Sequence, residues 1–161
     1  MTEVVNIVNR RKSRKLLFQE LYAMSLNEFN QELFRESFFS DVFTFTPDDA
    51  YLSEMRKIIT FYEGFFISIL KKYTPKFNVK TMSLSYILPI YIGLAEMFFL
   101  TEEIPGKVSI NEAVEVAKVY GDDSSKKIVN GVLNKVLQDI DELDKLKEND
   151  YSEVLESVFK R

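Results

Sequence analysis

A chain of 161 residues, 46% hydrophobic and 29% charged with a formal net charge of −4, is long enough to close one core and falls among globular rather than disordered chains. It contains no cysteine and no histidine, which excludes disulfides, thiolate metal sites and any catalysis that needs an imidazole base or a thiol nucleophile. With few glycines and prolines and no repeat, neither a solenoid nor a many-turned β protein is indicated, and a single intracellular domain is expected.

The N-terminal MTEVVNIVNRRK places its short apolar stretch ahead of the basic residues, the reverse of a secretory signal. Asn6 or Asn9 can cap a helix from Arg10 to about Asn27. At about 100° per residue, Leu16, Leu17, Leu21 and Met24 gather on one side, and Arg10, Arg11, Arg14 and Lys15 on another. Phe18 and Tyr22 fall on or beside the basic side. Five of the six residues in RRKSRK are basic in an acidic protein, so positive charge is concentrated at the end where the helix dipole disfavours it. A solvated charged face is the plain explanation, and a membrane surface lacks the large apolar face it would need. The sharper explanation is a phosphate backbone, with aromatic rings at hand to stack on unpaired bases.

EFNQELFRESFFSDVF, with Phe29, Leu33, Phe34, Phe38 and Val42, reads as a short second helix. Thr46 as cap, Pro47 at the first helical position and Asp48 and Asp49 in the first turn then predict a helix to about Tyr73. Its inner stripe is Leu52, Met55, Ile59, Tyr62, Phe66, Ile69 and Tyr73. From Phe77 to Leu100 the chain is nearly all apolar, which predicts a central buried helix that Pro89 breaks, kinks or restarts. Leu84 to Leu100 is near spanning length, but Pro89, Gly93 and Glu96 argue for a buried rather than a transmembrane helix. Glu96 is expected to be partly exposed near its end.

Ser109 with Glu112 has the form of a capping box, and Ile110, Ala113, Val114 and Ala117 follow at helical spacing. Gly121 is placed to take positive φ beyond that helix. A second helix is predicted from Ser124, behind Asp122 and Asp123, with Ile128, Val129, Val132, Leu133 and Val136 inward and a continuation to Leu146. Gly131 inside it costs about 1 kcal/mol relative to alanine, so a close contact is expected in return. The tail, Tyr151 to Arg161, repeats an amphipathic pattern in Tyr151, Val154, Leu155, Val158 and Phe159. It is too short to be stable alone, so it docks on this core, on a second copy or on a partner, or stays disordered.

Nothing in the chain has the form of a catalytic or phosphate-loop motif, and the carboxylate pairs Asp48–Asp49, Asp122–Asp123 and Glu112–Glu115 are accounted for by helix starts and exposed faces. A protein without enzymatic activity, cofactor or metal is expected.

The ordered string INEAVEVAK, a glycine turn and VNGVL resembles the signature of the NusB family of transcription antitermination factors. RRKSRKLLFQELYA is similar to the family's arginine-rich first helix, with Leu21 and Tyr22 at its Leu-Tyr pair, LPIYIGLAEM sits where its central helix lies, and EIPGKVSINEA matches the approach to the signature. The resemblance covers most of Arg10 to Val136. It implies an all-α protein of two small bundles and about seven helices, a domain over 1–148 with an extension over 149–161, and a cytoplasmic location. It further implies binding of boxA-like single-stranded RNA of ribosomal RNA transcripts together with NusE, a small-subunit ribosomal protein, within the transcription elongation complex. Carried over, Arg10, Arg11, Lys12, Arg14 and Lys15 become phosphate contacts, Gln19 and Tyr22 lie next along the helix, and Ser125, Lys126 and Lys127 complete the RNA face. Asn111, Glu112, Asn130 and Gly131 become architectural.

The chain departs from the family at three places: Ile128 stands where a phenylalanine before Val-Asn-Gly is common, Tyr91 where an arginine is frequent, and Pro89 interrupts the apolar run. The RNA reading predicts that Arg11→Glu with Arg14→Glu abolishes binding and leaves the fold intact. Two others stand beside it: a diverged interaction module that keeps the protein partner but has lost specific RNA reading, and a homodimer formed through the tail.

Overall fold

The structure is a computed structural model that describes residues 9–26, 32 and 45–160. The helix expected around Phe29 to Val42 lies outside the described residues, as does Asn6. Helix α1, Arg10–Ser25, is capped by Asn9, whose side chain accepts from the Lys12 amide at 2.9 Å. Leu16, Leu17 and Leu21 are fully buried. The returning chain clamps the start of α1: the Asn9 amide donates to the Thr46 carbonyl at 3.2 Å, and the Asp48 amide donates to Ser13 Oγ at 2.9 Å.

Asp48, rather than Thr46, caps the next helix, accepting from the Tyr51 amide at 3.1 Å. The single helix expected to Tyr73 is two, α2 over Asp49–Phe61 and α3 over Glu63–Tyr73, meeting at Tyr62 with φ −97° and ψ 13°. The tail sits at this bend. A Cβ on Gly64 would come within 2.8 Å of Tyr151 Cβ, so only glycine leaves room for that approach.

Helix α4, Leu84–Phe99, starts at the Ser83 cap rather than at Phe77; residues 74–82 form turns held by Asn78, whose carbonyl accepts from the Thr81 and Met82 amides. Pro89 neither breaks nor restarts it. In the second turn, its missing amide costs only the bond that the Ser85 carbonyl would have received, and the helix carries on. Every residue from Ile87 to Phe98 is buried, because α1 and α2 cover one side of α4 and the last two long helices cover the other. Two small bundles thus share α4.

Those long helices are α5, Gly106–Tyr120, and α6, Asp123–Gln138. Helix α5 begins three residues before the expected capping box, at Pro105–Gly106, and no side chain caps it. Ser109 and Glu112 are used otherwise, as described below. Gly121 has φ −124°, ordinary extended backbone; glycine is required there because a Cβ would lie 2.3 Å from Ser125 Oγ and 2.9 Å from the Ala117 carbonyl. The α6 cap is Asp122, in a reciprocal capping box with Ser125. The contact expected at Gly131 is absent: the residue is exposed and a Cβ would meet nothing within 4 Å. A close helix–helix contact occurs at Gly93 instead, where a Cβ would lie 2.6 Å from Leu133 Cδ1 across the α4–α6 contact.

Helix α6 stops at Gln138, and a turn at Asp139 leads to the short α7, Ile140–Asp144, so the expected run to Leu146 is interrupted. The Tyr73 hydroxyl donates to Asp139 at 2.5 Å; burial together with that carboxylate pushes the phenol up to about 12. The tail docks on this chain's own core without becoming an α-helix, ending in one 3₁₀ turn, Val158–Lys160. Val158 is fully buried, Tyr151 packs on Phe65 with ring centroids 5.7 Å apart, and Leu155 points to solvent.

Candidate nucleic-acid interface

The basic first helix has two kinds of cation. Arg14 is 5% exposed and turned inward. Its Nε donates to Glu96 Oε2 at 2.7 Å and its Nη2 donates to Oε1 at 3.1 Å, a two-pronged pair between α1 and α4. The Tyr51 hydroxyl donates to Glu96 Oε2 at 2.5 Å and Ser109 Oγ donates to Oε1 at 3.2 Å. Glu96 is therefore neither partly exposed nor a surface residue; it is 1% exposed and anchors four helices. Its charge is tolerable there only because a guanidinium and two hydroxyls satisfy it. Burial works to lower the Arg14 pKa, but the hydrogen bonds and charge of Glu96 prevail and keep it above its ordinary value. Burial first, and then the Glu96 charge, raise the Tyr51 phenol well above 10.0, so it remains a donor.

These partners correct the expectation that Arg14 contacts phosphate and that Arg14→Glu spares the fold. A glutamate at position 14 would face Glu96 across the core with no cation between them. The helical wheel placed Arg14 correctly beside its basic neighbours; the wheel carries no information about a carboxylate from 82 residues later.

Arg10 and Arg11 lie nearer the surface but are also paired. Arg10 Nε donates to Asp48 at 2.9 Å and its Nη2 to Glu103 at 2.8 Å, while the guanidinium lies 4.4 Å from the centre of the Tyr51 ring. Arg11 is held by both oxygens of Glu112, at 3.0 and 3.2 Å. The second half of the expected capping box thus serves as an ion-pair partner. By contrast, Lys12, Lys15, Lys126 and Lys127 have no ion-pair partner among the described residues; Lys12 lies over the Phe45 ring, 5.7 Å from its centre.

Further along α1 the chain forms a groove of about 520 Å³ lined by Phe18, Gln19, Tyr22, Ser83, Leu84, Ser85 and Tyr120. Phe18 is stacked on Tyr120, with centroids 4.2 Å apart and planes 3° from parallel. The Tyr120 hydroxyl donates to the Lys15 carbonyl at 3.4 Å, which ties the end of α5 to α1. Burial raises the Tyr120 pKa, against an opposing hydrogen bond with Gln19. Tyr22 is 44% exposed at the rim, the one large aromatic of the groove open to a ligand. Ser85 Oγ lies 3.3 Å from Ser125 Oγ, which connects the groove to the start of α6 and its lysines.

Of the sequence-predicted residues, Gln19 and Tyr22 line this groove; Lys12 and Lys15 lie on the same helix, and Lys126 and Lys127 follow Ser125, which Ser85 of the groove approaches. Ser125 does not present itself to a ligand; it is fully buried within the α6 capping box. Ile128 is half-buried against the core. Sequence reasoning missed Tyr120, Ser83 and Ser85. Tyr120 could have been found, as the last residue before the glycine turn; the serines offered no signal.

An aromatic groove beside a basic helix, on two small bundles that share one central helix, defines the class: an all-α protein with a groove on its surface. The fold matches that of a solved structure, T. maritima NusB, at a TM-score of 0.67 and 23% identity, covering 81% of this chain and 92% of that one. The sequence carries the match further. The NusB family model fits residues 11–138, and the transcription antitermination proteins NusB of Clostridium perfringens strain SM101 and Clostridium novyi strain NT are 34% and 32% identical, each over 99% of its own length and 83% and 81% of this chain. The chain belongs to the NusB family, whose members are transcription antitermination proteins and not enzymes. The tail beyond Gln138 lies outside the family match, and among the described residues no helix is long and apolar enough to cross a membrane.

Proposed function

We propose that this protein is a cytoplasmic RNA-binding antitermination factor that acts on ribosomal RNA transcripts. It binds boxA-like single-stranded RNA jointly with NusE within the transcription elongation complex. Residues 1–148 are the RNA-binding unit and 149–161 an extension. The observation that carries this reading is the groove of Gln19, Tyr22 and Tyr120 on the helix that also carries Lys12 and Lys15, with Ser85 linking it to Ser125, the residue before Lys126. Cations without an ion-pair partner among the described residues, on the elements that carry aromatic rings, suit a backbone whose bases are splayed. Lys12 and Lys15 supply phosphate contacts from α1, Lys126 and Lys127 from α6, and Tyr22 offers a stacking face. Arg10 and Arg11 can join only by leaving a carboxylate.

Fluorescence anisotropy of a labelled boxA-like RNA, with and without NusE over a salt series, tests this. Sequence-selective binding strengthened by NusE is expected, with a log–log salt slope near −3, about four lysine contacts at roughly 0.7 each. Lys12→Glu with Lys15→Glu should reduce affinity at least tenfold while the circular dichroism spectrum stays helical; unchanged affinity would discard the reading. Ile128, which can pack but not stack, favours one alternative, a module that keeps its protein partner without reading sequence. Equal binding of boxA and scrambled RNA with NusE binding retained would select it.

A further inference from the structure

Arg10 and Arg11 lie on the helix of the RNA face proposed above, yet both are already engaged by carboxylates from distant parts of the chain. We propose that Glu112 and Glu103 are intramolecular competitors of the RNA backbone, so that engaging these arginines exchanges a carboxylate for a phosphate. This rests on the RNA-binding reading.

Arg11 is the clearer case. Its side chain is 64% exposed, which lets a phosphate reach it, while Glu112 is only 13% exposed and cannot move away without losing its packing. Both Glu112 oxygens meet the guanidinium, the planar fork geometry that a phosphate would also use. Glu112 also stands 3.6 Å from Arg14, so it is held from a second side. At Arg10 the exposures run the other way: Glu103 is 56% exposed and can swing out, and the arginine, 30% exposed, keeps Asp48 after it does. One competitor is fixed and the other is loose.

Two consequences follow. An arginine released from a carboxylate leaves an anion that recruits a cation from solution, so an exchanged contact releases fewer ions overall than a lysine that starts unpaired. Secondly, the carboxylates act against any anion but are overcome only where several phosphates arrive together, which sets a threshold against short or isolated anions.

The test measures binding of the same labelled boxA-like RNA by the full chain and by Glu112→Gln, Glu103→Gln and Glu102→Gln. Glu102 is exposed and without an ion pair among the described residues, so it removes the same charge without freeing an arginine. Glu112→Gln and Glu103→Gln should each tighten binding about two- to fivefold relative to Glu102→Gln, the range expected for releasing a surface pair. Their salt slopes should steepen by up to about 0.7. Glu103→Gln keeps the test sound should Glu112→Gln alter folding, which a thermal melt reports. Equal or weaker binding by both variants would overturn the proposal and make the glutamates templates that orient the arginines. Absence of RNA binding by the unsubstituted chain would instead refute the RNA reading itself, and this inference with it.

Discussion

Two of the carboxylates buried among the described residues, Glu96 and Glu63, are satisfied in opposite ways. Glu96, under α1, is met by a guanidinium and two hydroxyls. Glu63, under the tail, is met by dipoles: the Tyr91 hydroxyl donates at 2.8 Å, the Val158 amide donates at 2.8 Å, and Ser157 Oγ donates to its other oxygen. With a full positive charge beside it, the first site ties the two bundles together. With no guanidinium bonded to it, Glu63 has its pKa raised by burial, only partly opposed by those hydrogen bonds and by the charge of Lys160. A bonded charge pair makes a fixed joint, whereas a site held mainly by dipoles makes one that pH can weaken. The fixed joint lies under the basic first helix and the weaker one under the segment outside the family match.

The largest expected effect comes from breaking the charge pair. Arg14→Ala should lower stability by about 3–5 kcal/mol, because Glu96 is left charged and buried; urea denaturation measures it. Arg14→Lys should recover only part, since an ammonium cannot span both oxygens. A loss below about 1 kcal/mol would mean that Glu96 is not held as an ion.

At the other site, Gly64→Ala should cost about 1–3 kcal/mol, because the new methyl meets the stem of Tyr151 rather than the flexible end of a side chain. Protease cleavage within the tail should accelerate with it. Gly131→Ala touches neither site and provides the contrast: with open space around its Cβ, it should stabilise the chain by about 1 kcal/mol in thermal melts.

The smallest effect is the dependence on pH. With the folded-state pKa of Glu63 above the usual 4.5, the unfolded chain loses this proton first as pH rises. Stability should therefore fall from about pH 4.5 until the folded-state pKa is passed, and then level off. Glu63→Gln should remove that part of the slope, and comparing melts of the two proteins from pH 4 to pH 7 measures it. Identical slopes would show that Glu63 is not the group responsible.

Much of the fold was legible because burial follows period: Leu16, Leu17 and Leu21, then Leu52, Met55 and Ile59, then Val129, Leu133 and Val136 all lie inside as their spacing required. The family was legible because INEAVEVAK and VNGVL are long ordered strings. Local rules misled where a residue had a better distant partner. Ser109 and Glu112 have the right spacing for a capping box, but Glu96 and Arg11 take them. Gly121 has the position of a helix terminator, but its lack of a side chain serves the Ser125 cap.

The sequence by itself determined where most of the described helices lie, their buried stripes, the absence of histidine and cysteine chemistry and the basic character of α1, since each depends on neighbours within a few turns. Only the tertiary structure decided which cations are available. Arg14 faces Glu96 across 82 residues and Arg11 faces Glu112 across 101, while Lys12 and Lys15 find no ion-pair partner among the described residues. A charge is written in the sequence, but its compensation depends on distance in space, and that distance is set by how the two bundles close on α4.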